Sequence, residues 1–259
     1  MMRIGCLVLV LLTSLVGGRA EAQLADCPDA TALRVELERL RTRLDDWPQL
    51  RRYAADNASL AAPAATEARV VFLGDSITDN WDDPRYGGFF PGKPYVNRGI
   101  GGQTTPQMVL RMQADVMALK PKVLVLLAGT NDLAATLGPI TVAQTEDNIA
   151  TIAELASAHG IKVVLSSVLP VSAYHYRERP TLRGPQVSIR PPDKIAEINR
   201  WLQDYATKHG HVYLDYVPAV ADSTGMLKSE FSGDDLHPNT AGYAAMAPLA
   251  EAAIARALR

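Results

Sequence analysis

The chain has 259 residues, 47% hydrophobic and 21% charged, values that exclude a disordered or fibrous protein. Its net charge of −2 argues against a nucleic-acid partner. The length admits one large α/β domain or two small ones.

The N-terminus reads as a targeting segment. Arg3 precedes an apolar run over residues 6–16, too short to span a bilayer comfortably. Ala20-Glu21-Ala22 supplies the small-x-small cleavage pattern. Residues 1–22 are therefore expected to be a signal peptide, with Gln23 as the mature N-terminus. The expected location is secreted or periplasmic, with no stable membrane insertion after cleavage; the alternative is an uncleaved anchor. Cys27 follows Leu24-Ala25-Asp26, and the acidic residue is wrong for lipid attachment. Cleavage removes Cys6 and leaves Cys27, so no internal disulfide is expected.

Residues 23–66 form the expected helical extension and linker. Leu33, Leu37, Leu40, Leu44 and Trp47 alternate at spacings of four and three, a heptad-like apolar seam. The seam is expected to pack on the flank of the following domain. Pro48 breaks the helix, and Ala61-Ala62-Pro63-Ala64-Ala65 reads as the linker.

Residues 67–259 form the expected catalytic domain. Strands are expected at 70–73, 95–100, 123–127, 163–168 and 212–214. The third is the most apolar and so the expected centre of the sheet. Helical patterns cover 104–119, 141–159, 193–209 and 240–258, the last capped by Asn239 or Thr240. Strict alternation of strand and helix predicts an α/β fold, a three-layer α/β/α sandwich around a five-stranded parallel sheet. Three long irregular stretches, 79–94, 171–192 and 218–238, follow strand ends and are expected to wall one site.

Four short stretches lie just beyond strands: Gly74-Asp75-Ser76, Gly101-Gly102-Gln103-Thr104, Gly129-Thr130-Asn131-Asp132 and Asp234-Asp235-Leu236-His237-Pro238. Together they resemble the blocks of the SGNH hydrolase superfamily, the GDSL esterases and lipases. The resemblance runs from Arg69 to the C-terminus. The run Gly99-Ile100-Gly101-Gly102-Gln103-Thr104-Thr105 is similar to the platelet-activating-factor acetylhydrolase and lysophospholipase-like branch. The resemblance implies a flavodoxin-like fold, a serine ester hydrolase mechanism, and neither metal nor cofactor. It assigns the serine to Ser76, the glycine to Gly102, the asparagine to Asn131, the histidine to His237 and the acid to Asp234. The first block departs in reading Gly-Asp-Ser-Ile.

The same residues make chemical sense by themselves. Ser76 stands where a buried strand meets a helix, the place of a nucleophile or simply of a helix cap. A serine hydroxyl needs a base, and His237 can be that base. Asp234, three residues earlier, can hold the other imidazole nitrogen on one turn. Oxyanion donors are available from the Gly102 amide, the Ser76 amide and the Asn131 side chain. Taken singly, Gly102 could be a turn glycine and Asn131 a helix cap. The other histidines, His159, His175, His209 and His211, read as non-catalytic.

The expected activity is hydrolysis of short-chain, notably acetyl, esters through an acyl-enzyme, with a small-molecule ester, an acetylated carbohydrate among the candidates, as substrate. Alternatives are a lysophospholipase- or thioesterase-like lipid hydrolase, an acyltransferase and a non-catalytic binding module. Residues 171–194 are rich in proline and arginine and carry no amphipathic lid pattern. Arg177 and Arg179 from this loop suit a polar or anionic alcohol. Tyr174 and Tyr176, with Trp81, Phe89 and Phe90, are candidates to stack on a sugar ring.

Overall fold

The computed structural model describes residues 30–178 and 184–259. The expected signal peptide, Gln23, Cys27, Arg179 and Arg183 lie outside the described residues. The chain divides into two units, Met1–Asp45 and Asp46–Arg259.

In the first unit, α1 spans Ala30–Asp45. Its sequence is rich in leucine, arginine and glutamate, all good helix formers. Leu33, Leu37, Leu40 and Leu44 are exposed.

The second unit opens with α2 (Ala54–Ser59), then alternates: β1 (Val70–Gly74), α3 (Ser76–Asp79), β2 (Tyr95–Gly99), α4 (Thr105–Asp115), β3 (Val123–Leu127), α5 (Thr130–Leu133), α6 (Val142–Ala158), β4 (Lys162–Ser166), α7 (Gln186–Ile189), α8 (Pro192–His209), β5 (Val212–Leu214), α9 (Val217–Val220) and α10 (Thr240–Ala257). The strands form one parallel sheet in the order β2-β1-β3-β4-β5, with β3 central as its apolar sequence predicts. β1 pairs with β2 on one side and β3 on the other, so the chain reverses its winding there. Such a switch point opens a crevice at the carboxyl ends of the strands.

Alternate strand residues feed two cores. Val71, Leu73, Leu124, Leu126, Val163 and Leu165 pack with Met108 and Met112 of α4, Ile149 and Ile152 of α6, and Ile198 and Leu202 of α8. On the other face, Val70, Phe72, Val123, Val125 and Val164 pack with Met246, Ala250 and Ile254 of α10. Both faces are covered, which is the three-layer sandwich expected from the alternation. Asn239 caps α10 by accepting from the amides of Ala241 and Gly242.

The segment ahead of the expected linker is tied to the rest of the second unit. Gln103 and Gln107 donate their side-chain amides to the carbonyls of Pro48 and Trp47, at 2.8 and 2.6 Å. Tyr53 is buried and donates to the Gly99 carbonyl. Asn57 donates to Asp115 at 2.8 Å and accepts from Arg98 at 2.8 Å. The compact unit therefore begins at Asp46, ahead of the boundary expected at Glu67.

Candidate active site

β1 ends at Gly74, where any side chain would collide with Thr78 and the Leu127 carbonyl. Asp75 then turns the chain by accepting from the Ile77 amide at 2.9 Å, and Ser76 opens α3. Ser76 Oγ lies 2.9 Å from His237 Nε2. His237 Nδ1 lies 2.6 Å from Asp234 Oδ2. The other Asp234 oxygen accepts from the amides of His237 and Leu236 at 2.8 and 3.1 Å and from the Ser232 hydroxyl at 3.1 Å. Asp234 and His237 thus share one turn. Burial alone would raise the Asp234 carboxyl, but the bonds from His237 and Leu236 outweigh it and hold the group well below the ordinary carboxylate range.

Asp235, next in sequence, faces away from this triad. It sits at φ +67°, is buried, and accepts from the Ser172 hydroxyl at 2.6 Å and the His175 amide at 3.0 Å. The turn that carries Asp234 and His237 is joined to the loop after β4 through the Asp235 carboxylate.

Gly102 has φ +79°, a conformation suited to glycine, and nothing lies within 4 Å of the place a Cβ would take. Among the described residues, the Gly102 and Ser76 amides meet no acceptor. Asn131 is buried at the start of α5, and its Nδ2 donates to the Gln103 carbonyl at 3.0 Å. An amide nitrogen carries two hydrogens, so one stays available. Arg190 grips the other end of this residue: its NH2 lies 3.4 Å from Asn131 Oδ1, and its Nε donates to the Thr130 hydroxyl at 2.8 Å.

Beneath the site lies Arg111, fully buried. It donates to the Gly74 carbonyl at 2.9 Å, the Arg98 carbonyl at 2.7 Å, Gln103 Oε1 at 2.6 Å and Asp115 at 3.1 Å. A second tie joins the blocks where Asp132 accepts from the Thr105 hydroxyl at 2.6 Å. Sequence reasoning missed Arg111 and the part played by Arg190. The four-residue spacing of Gln107, Arg111 and Asp115 along one helix face was the available signal.

The aromatic expectations need correction. Trp81 and Phe90 are buried, packed with Phe89 around Phe72 at centroid distances of 5.0–6.2 Å. Trp81 also stacks on Tyr243 at 5.0 Å. These rings complete the second core, because β1 offers Phe72 on that face and the 79–94 segment folds over it. Tyr174 is exposed, its hydroxyl held by Asp222 at 2.5 Å. Tyr176 is half-buried and Arg177 exposed. Arg190, another arginine of the 171–194 loop, is buried. Among the described residues, no cluster of three potential metal ligands occurs.

The model of the GDSL-like lipase/acylhydrolase family matches residues 72–245. The chain belongs to this family. A crystal structure assigned as an acylhydrolase, from Bacteroides fragilis, is 39% identical with a TM-score of 0.74, over 83% of this chain and 99% of that one. This GDSL-like chain is also 36% identical over 121 residues to the uncharacterized lipoprotein YqeF of Bacillus subtilis, across 39% of this chain and 49% of the relative. It thus spans about half the length of that curated relative. An acetylxylan esterase of Geobacillus stearothermophilus, 18% identical, shares the fold with a TM-score of 0.58 over 75% of this chain and 95% of its own. The chain is a hydrolase of the SGNH type.

Proposed function

We propose that the protein is an exported serine esterase that removes short acyl groups, acetyl above all, from a polar, carbohydrate-like alcohol. The observation that carries the chemistry is the unbroken chain from Ser76 through His237 to Asp234, with donors beside it. In this reading His237 takes the proton of Ser76 as its oxygen attacks the ester carbonyl. The developing oxyanion meets the amides of Ser76 and Gly102 and the free hydrogen of the Asn131 amide. His237 returns the proton to the leaving alcohol, and the acyl group stays on Ser76. A water deprotonated by His237 then releases the acid.

Two observations support a small acyl group. Of the three long loops, Tyr174 alone leaves a large hydrophobic side chain exposed among the described residues. Among the described residues, these loops set no row of exposed large apolar side chains before a long acyl chain. Trp81 and Phe90 are buried in the second core. The polar alcohol is supported by the charge of the 171–192 loop, where Arg177 remains exposed, and by Tyr174 as an accessible ring. The acetylxylan esterase shows that the same fold serves an acetylated sugar substrate. Export is supported by Arg3, the apolar run and Ala20-Glu21-Ala22, and by likeness to a lipoprotein. No helix among the described residues is long and apolar enough to cross a membrane.

Nitrophenyl esters from acetate to palmitate, assayed beside an acetylated xylo-oligosaccharide, test the reading. Activity should fall steeply beyond about four to six acyl carbons, and the sugar ester should be cleaved. A preference for palmitate would replace this reading by a lysophospholipase-like one.

A further inference from the structure

The helix α1 presents an apolar stripe that no other described residue of its own unit covers. Leu33, Leu37, Leu40 and Leu44 are 68%, 49%, 44% and 75% exposed. They follow one another at four, three and four residues, which keeps all four on one seam of a helix wound at 3.5 residues per turn. A contiguous apolar stripe of this kind marks an interaction surface.

The charges beside the stripe say what covers it. With Leu37 and Leu44 at a and Leu33 and Leu40 at d, Glu36 and Arg43 stand at g and Arg34 and Arg41 at e. In a parallel pair of helices, a g residue of one faces the e residue five positions later in the other. Glu36 then faces Arg41 of the second copy, twice by symmetry. Antiparallel pairing would set Glu36 against Arg43 at g but would also bring e against e, arginine against arginine, a repulsion that the parallel pair avoids. Within one copy, Glu36 and Arg41 make only exposed contacts along the helix, to Arg39 at 3.1 Å and Glu38 at 4.0 Å. Such contacts contribute little and are readily exchanged.

We propose that α1 pairs in parallel with α1 of a second copy, so that the protein is a dimer held by a short two-stranded coiled coil. With sixteen residues in α1, the association is weak and concentration-dependent, and the helix gains its own stability from the pairing. The leucines of α1 belong to the first unit and the proposed catalytic residues to the second, so basal esterase activity should not depend on the pairing.

Sedimentation velocity of the full chain across a concentration series tests this. The wild type should approach twice the monomer mass, and Leu37→Asp with Leu40→Asp should hold it at one. The pair of substitutions should leave nitrophenyl acetate hydrolysis unchanged. Glu36→Arg alone should weaken the dimer, and adding Arg41→Glu should restore it. A wild type that stays monomeric throughout, whether or not it adsorbs to anionic phosphatidylglycerol vesicles, overturns the proposal. So does a dimer that survives the leucine substitutions, and a charge swap that fails to restore association overturns the parallel register.

Discussion

Arg111 Nε donates to Gln103 Oε1 at 2.6 Å from a guanidinium that no solvent reaches. The same group holds the carbonyl of Gly74, two residues before Ser76, while the Gln103 carbonyl receives the Asn131 amide. One side chain therefore sets the spacing of three of the four blocks. Lysine keeps the charge but cannot reproduce the planar fork. Arg111→Lys should fold and lose up to about 100-fold in kcat with little change in KM, since small misplacements of catalytic groups cost that much. Arg111→Met strands the Asp115 carboxylate in the core and should cost about 3–5 kcal/mol in urea unfolding. An Arg111→Lys enzyme with wild-type kcat would show that the three blocks hold their places without it.

Gly102 and Gly99 separate two uses of glycine. A Cβ at Gly99 would lie 2.1 Å from the Asp79 backbone nitrogen, so Gly99→Ala should fail to give soluble folded protein. A Cβ at Gly102 meets nothing within 4 Å, so Gly102→Ala should fold, at a backbone cost of about 1–2 kcal/mol. Its methyl group enters the space proposed for the ester carbonyl, so kcat/KM should drop sharply. Thermal melts and nitrophenyl acetate kinetics on the two variants check this. Full activity in Gly102→Ala would remove Gly102 from the oxyanion site.

Asp75 is buried with one carboxylate oxygen lacking a hydrogen-bond partner. Burial raises its pKa to about 6, against the pull of the Ile77 amide and of His237. Between its ordinary value of 3.8 and about 6, the folded chain holds a proton that the unfolded chain releases. The group therefore lowers stability as pH rises through that window, and the penalty is complete above it. Asp234 runs the other way: its depressed pKa adds stability above the ordinary carboxylate range that is lost as pH falls below it. Asp75→Asn should remove the first effect alone. The variant should gain about 2–3 kcal/mol on the wild type between pH 4 and pH 7, at about 1.4 kcal/mol per pKa unit. Urea unfolding across that range measures it, and a pH-independent difference between the two proteins would contradict the assignment.

The sheet was legible because buried parallel strands are continuous apolar runs, and β3, Val-Leu-Val-Leu-Leu, is the clearest of them. The positions of Ser76, Asn131 and His237 were legible because each closes a strand or follows a turn signal. The fate of Trp81 and Phe90 was not. Aromatics in a segment without regular periodicity do not reveal whether they face a ligand or the core, and the choice was made by Phe72 on β1. The start of the second unit was hidden for a different reason. Trp47 and Pro48 are held there through backbone carbonyls, which leave no mark on residue type. Arg111 was hidden because a charged residue in a helix ordinarily marks the solvent face, and here it marks a buried junction.

The central claim is that Ser76 carries the acyl group. Intact-mass analysis after exposure to a fluorophosphonate, with peptide mapping of the adduct, tests it most directly. The wild type should gain one adduct on Ser76. Ser76→Ala should melt like the wild type, gain no adduct, and lose esterase activity by several orders of magnitude, as triad deletions do. A Ser76→Ala protein that keeps its activity, or an adduct on another residue, would contradict the account.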